Sequence, residues 1–360
     1  DPIPPLNAPA LFAHTTRFGL TPNALGVGIM AHMAVGFATY ALARRHAWPP
    51  MALTVSLLVL SMPRLIFLAL FPAPETISTA AVVFAVLLLY RLVEQHRPWD
   101  LGLFFLTVLF SIHANPMSIA LVPVLTLLLI LVMLRRHGRL LVWELIADRP
   151  RVTAALVLPA LLLAQVPGLV LNQANGHPLL GGECAFETGG IVGAAGNLVR
   201  FVLVSCDPTK PVQEMLVWMV GLDLKALLMG LYGALMALLP HQRTVGDPFS
   251  LIFSGGGAFG FGPFVVILVL PAMGYALVRG PRRLKALGMA WMGYLYLAAL
   301  VMAWQSGSLT TLSPMLAANG FLVAFSLPAW RLRRRGMRLL QTLFLLLMGW
   351  ALVSCWWSQS

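Results

Sequence analysis

The residues with the capacity for chemistry are few, and one pair stands out by position. Arg64 lies inside the apolar run 51–70, seven residues before the break Phe71-Pro72-Ala73-Pro74-Glu75-Thr76, and Glu75 opens the next apolar run. The stretches that fall on the same side of the pattern hold Asp1, His14, Arg17, His113, Asn115, Glu183, Glu187, Arg200, His241, Arg243 and Asp247. A guanidinium in an apolar run must pair with an anion or face a cavity. Its fixed fork of donors fits phosphate. A carboxylate can take the proton of a hydroxyl as general base. Together these groups suit sugar transfer from a lipid-phosphate donor whose tail lies among helices, with no nucleotide fold required. The simpler readings are a solvated turn at Glu75, an Arg64–Glu75 ion pair, or an arginine snorkelling to the surface. A helix rises about 1.5 Å per residue, which puts Arg64 roughly 10 Å from the end of its run, within that reach.

Composition decides which elements must hold these residues. The chain has 360 residues, 59% of them apolar and 10% charged, with a mean hydropathy of +0.85. Repeated apolar runs of that kind predict an all-α, polytopic integral membrane protein of about 10–12 transmembrane helices. The alternation of an outer-membrane barrel is missing. The net charge of +12 comes in bursts: Arg44-Arg45, Arg91 and Arg97, Arg135-Arg136 and Arg139, Arg149 and Arg151, Arg279 to Lys285, and Arg331 to Arg338. These bursts occupy alternate loops, the positive-inside pattern, and leave most acids on the outer side. No continuous basic face appears, so no nucleic-acid partner is expected. The three cysteines form no metal motif. Cys184 and Cys206 share an outer stretch, where a disulfide and two free thiols are both open.

Taken in order, the runs predict spans near 22–43, 51–70, 76–93, 101–114, 117–134 and 152–170, and later near 263–279, 286–304, 311–329 and 339–355. His32, within the first, reads as a packed or hydrogen-bonded histidine rather than a ligand. The runs 191–205 and 215–239, the second broken by Asp223 and Lys225, either both span or both lie at the outer interface. Residues 255–262 are glycine-rich but lack the lysine and the preceding strand of a phosphate loop. No internal repeat or soluble domain is visible. One integral-membrane domain, 1–360, with outer loops 1–21, 171–213 and 240–261, is the simplest partition.

Three stretches carry a resemblance: Pro4-Pro5-Leu6 with Phe18-Gly19 before a span ending at Arg44-Arg45; Pro74-Glu75 opening a span that closes at Tyr90-Arg91, followed by the His113–Met117 turn; and Gly260-Phe261-Gly262-Pro263 before a span ending near Arg279. The pattern resembles the polyprenyl-phosphate-dependent membrane glycosyltransferases of GT-C fold, near the dolichyl-phosphate-mannose and aminoarabinose transferases. The resemblance implies an inverting glycosyltransferase of the bacterial inner membrane, active at the periplasmic face. It implies a polyprenyl-phosphate sugar donor, a lipid, glycan or protein acceptor, and contact with membrane lipids. Asp1 matches the loop aspartate of that family and Glu75 the acidic position of its second outer loop, as catalytic groups. Arg17, Arg64, His113, Arg200, His241 and Arg243 would bind the donor phosphate or lipid. Asp1 would then follow a first span that precedes this sequence. The paired acids usual in the first loop are replaced here by Asp1-Pro2. A divalent cation assists some members, but the few acids argue against a tight metal site. The alternatives are a transporter or flippase and a non-catalytic membrane assembly subunit.

Overall fold

In the computed structural model the described residues are 21–70, 74–95, 97–114, 118, 120, 122–125, 127, 147, 150–174, 190–205, 210–238, 268–301, 320 and 334–357. Every regular element among them is helical. In chain order the helices are α1 (Thr21–Ala43), α2 (Pro49–Leu60), α3 (Pro63–Leu70), α4 (Pro74–Gln95), α5 (Pro98–Ala114) and α6 (Pro150–Ala174). There follow α7 (Gly190–Ser205), α8 (Lys210–Val220), α9 (Leu224–Ala237), α10 (Leu270–Val278), α11 (Arg282–Val301) and α12 (Arg334–Trp357).

Proline opens many of these helices. Its fixed φ and missing N–H suit the first turn, where an intrahelical donor would go unused. Pro49 and Pro50 start α2 after the extended residue Trp48. Pro63, Pro74, Pro98 and Pro150 begin α3, α4, α5 and α6.

The core is built around α4. Val82, Val83, Val86, Leu89 and Leu92 are all buried, and the helix is covered on nearly every side. It packs against α1 and α5, α5 packs against α6, and α1 packs against α2. α1 and α2 approach closely at Gly36, where a methyl group would oblige the Leu60 side chain to shift. The Ser56 hydroxyl donates to the Gly36 carbonyl at 2.7 Å. The His32 Nε2–H donates to the Leu60 carbonyl at 3.0 Å, the hydrogen-bonded histidine that the sequence predicts. Between α4 and α5 the Ser78 hydroxyl lies 3.2 Å from that of Ser111 and 2.8 Å from that of Ser118. All three are buried.

The expectation of a polytopic protein with about 10–12 transmembrane helices is corrected here. Among the described residues two helices are long and apolar enough to cross a membrane, Leu25–Ala43 and Glu75–Leu92, and up to four crossings result if each of two bent pairs is one span. The predicted runs 117–134 and 311–329 lie largely outside the described residues, and within the described ones an apolar run does not disclose a bend. The run 51–70 is two helices, α2 and α3, meeting at 66°, and the run 215–239 is broken into α8 and α9 at 105°. The first break is capped at Ser61, whose N–H reaches the Leu57 carbonyl and whose hydroxyl donates to Leu58. The second turns at Gly221, which has a φ of 66°. There the Asp223 carboxylate caps α9 by accepting from Ala226 N–H and from the Gln213 amide. Asp223 is thus a helix cap, and the break at its position in the apolar run is a real turn.

Candidate functional site

Arg64 is the second residue of α3, directly after Pro63. Side chains on a helix tilt toward its N-terminus, where the partial positive charge of the helix disfavours a cation. First-turn N–H groups there have no partner within the helix, so the same end favours an anion. Arg64 is nonetheless 5% exposed, and its Nε and Nη1 have no hydrogen-bond partner. The Phe67 ring lies one turn on, its centroid 5.8 Å from the Arg64 guanidinium carbon.

Glu75 lies in the first turn of α4, where a carboxylate is favoured. Its charge acts on Arg64 electrostatically, yet no ion pair forms between them. The joint that fixes their relation is buried: the Thr76 hydroxyl donates to the Leu68 carbonyl at 2.7 Å, tying the start of α4 to α3. Thr79 donates to the Glu75 carbonyl one turn on. Arg64 thus has two buried nitrogens unengaged and a carboxylate near but outside ion-pair distance, groups that can pair with an anion. The ion-pair reading of Arg64 and Glu75 does not hold.

Of the other residues singled out in the sequence, Arg200 is engaged elsewhere. Arg200, on α7, is 2% exposed and donates to Asn197 at 2.8 Å and to the Tyr232 hydroxyl at 3.2 Å. The Tyr232 ring lies beneath its guanidinium, and Asn197 donates in turn to the Ala299 carbonyl. That arrangement ties α7 to α9 and α11. His113 lies in the last turn of α5. Asp1, Arg17, Cys184, Cys206, His241 and Arg243 lie outside the described residues. Among the described residues no group of three or more His, Cys, Asp or Glu side chains could hold a metal ion.

A second charged cluster, not singled out in the sequence, lies at the far end of α4. Arg91 Nη2 lies 3.2 Å from Asp100 Oδ1, with the Asp100 side chain 2% exposed. Arg45 Nη1 lies 3.2 Å from Glu94 Oε2, a contact of charges without the alignment of a hydrogen bond. The His46 and Tyr90 rings meet edge to face beside them. The signal was present: an acid two residues into a proline-initiated helix, a few residues after Arg91. The bursts following α1 and α4 do share one end of the bundle.

No family model matches the chain, and neither a curated protein nor a solved structure does. With that, and with the span count above, the resemblance to GT-C glycosyltransferases is overturned. The inverting glycosyltransferase activity, the inner-membrane multi-pass placement and the periplasmic active face were implied by it and are withdrawn with it, and the transporter and assembly-subunit alternatives lose the multi-span frame on which they rested.

Proposed function

We propose that this chain binds an anionic amphiphile, seating its phosphate headgroup on Arg64 at the joint between α3 and α4. The observation that carries the reading is a buried arginine, 5% exposed as a residue, with two buried guanidinium nitrogens lacking hydrogen-bond partners. An unpaired buried cation is costly, and an incoming phosphate oxygen relieves that cost through charge-assisted hydrogen bonds. Glu75, nearby but apart, offsets the positive charge while the seat is empty. Apolar surface for a tail is available. On α1 the exposed residues Ile29, Met30, Met33 and Phe37 recur at helical spacing on the side away from buried Val35, Ala38 and Leu42. On α6 Leu158, Leu162, Val166 and Val170 form an exposed stripe at four-residue intervals. Patches of that extent mark contact with apolar partners.

Calorimetric titration of the full chain with a long-chain alkyl phosphate, and separately with inorganic phosphate, tests the reading. The alkyl phosphate is expected to bind at one site, and Arg64→Met to weaken it about tenfold or more, the worth of one charge-assisted hydrogen bond. Inorganic phosphate is expected to bind more weakly, since it lacks the tail. Equal affinity of wild type and Arg64→Met for the alkyl phosphate would show that Arg64 is not the seat.

A further inference from the structure

We infer that the bent pair α8–α9 is a wedge whose tip enters the acyl-chain layer of a lipid bilayer. This stands apart from the Arg64 seat and rests on different residues. The tip is the last turn of α8 with the residues that follow: Val217, Trp218, Met219, Val220, Gly221 and Leu222. Trp218 is 85% exposed, Val220 71% and Met219 63%, and Val217 and Leu222 are exposed as well.

Two features choose lipid over a protein partner. Residues 217–220 make a full helical turn, and all four are exposed. A protein surface docks against one face of a helix, whereas acyl chains surround it. The turn also returns two of its end carbonyls to backbone donors. Gly221, at a φ of 66°, closes α8 by donating its N–H to the Val217 carbonyl at 3.0 Å, and Leu222 N–H reaches the Leu216 carbonyl at 3.4 Å. Carbonyls at a helix end are orphaned in the absence of such a closure, and in lipid an orphaned carbonyl costs several kcal/mol. The polar groups retreat from the tip. Asp223 is bound to Ala226 N–H and the Gln213 amide, and exposed Glu214 and Lys225 flank it at headgroup level. An exposed tryptophan beside such a rim is the usual anchor of an interfacial element.

Nitroxide accessibility in liposomes tests this. The full chain, with Cys184, Cys206 and Cys355 replaced by serine, carries the label at Met219→Cys or at Val220→Cys, and at Lys225→Cys for reference. It is reconstituted in phosphatidylcholine mixed with phosphatidylglycerol. At positions 219 and 220 collision with dissolved oxygen is expected to exceed collision with an aqueous nickel chelate severalfold, and the ratio is expected to fall at position 225. Nickel collision at 219 and 220 equal to that at 225 places the tip in water and overturns the wedge. Weak collision with both reagents means that protein covers the tip, which overturns it equally. So does failure of the labelled chain to float with the liposomes.

Discussion

The two ends of α4 handle buried charge in opposite ways. At its C-terminal end Arg91 meets Asp100 and Arg45 meets Glu94, both at 3.2 Å. At its N-terminal end, about 33 Å away for 22 residues, Arg64 is buried with two idle nitrogens and Glu75 held off. The first arrangement is a clamp. Asp100 starts α5 and Arg91 ends α4, so the pair fixes the α4–α5 turn, while Arg45–Glu94 fixes α1 to α4. The second leaves a buried cation without an ion-pair partner inside the fold, which costs stability and is the basis of the proposed seat. At one end each cation has a carboxylate within ion-pair distance, and at the other it has none.

The contrast breaks most visibly at the clamp. Arg91→Ala strands the Asp100 carboxylate, 2% exposed, and is expected to lower unfolding stability by about 3 kcal/mol, read from denaturant midpoints. At the seat the sign reverses. Arg64→Met removes an unpaired buried cation and is expected to raise stability by about 1.5 kcal/mol while weakening alkyl phosphate binding. A destabilised Arg64→Met protein would show that the arginine is structural and would erase the distinction between the two ends. Thr76→Val removes the hydroxyl that joins α4 to α3 and is expected to cost about 1 kcal/mol. Hydrogen exchange at α3 should quicken in that variant, and unchanged protection would mean that packing alone sets the joint. Arg45→Ala is expected to cost the least, about 0.5 kcal/mol, since its contact is partly solvated. Added salt should shrink the Arg45 effect and leave the Arg91 effect largely in place.

Much of the local structure was legible in the chain. The runs 22–43, 76–93, 101–114, 152–170 and 191–205 correspond closely to α1, α4, α5, α6 and α7, because apolar runs bounded by proline and arginine mark helix limits strongly. Arg64 and Glu75 were legible as a related pair, since a short proline break leaves two helix starts little room to part. The bends were not legible. Residues 51–70 read as one hydrophobic length, and only the capping of Ser61 and the proline at 63 shows why α2 cannot continue into α3. The second break was marked in the sequence by Asp223 and Lys225, with spanning and interfacial placement both open, but nothing there showed Asp223 to be the cap of α9. The setting of Arg200 was not legible because its partner Tyr232 lies far along the chain. The family resemblance failed for a related reason: proline–acid openings and arginine endings recur wherever apolar helices start and stop.

The three hydroxyls of Ser78, Ser111 and Ser118 imply a pattern of inheritance. Ser78 has one proton to give, and its oxygen lies within bonding distance of both other hydroxyls, so at least one of them must donate to it. Replacing Ser78 alone leaves two buried hydroxyls without that partner, whereas replacing all three by small apolar residues removes donors and acceptors together and comes close to neutral. Descendants of this sequence should therefore keep the trio or lose it as a set. A lineage that holds a single alanine at Ser78 should carry a compensating change at Ser111 or Ser118.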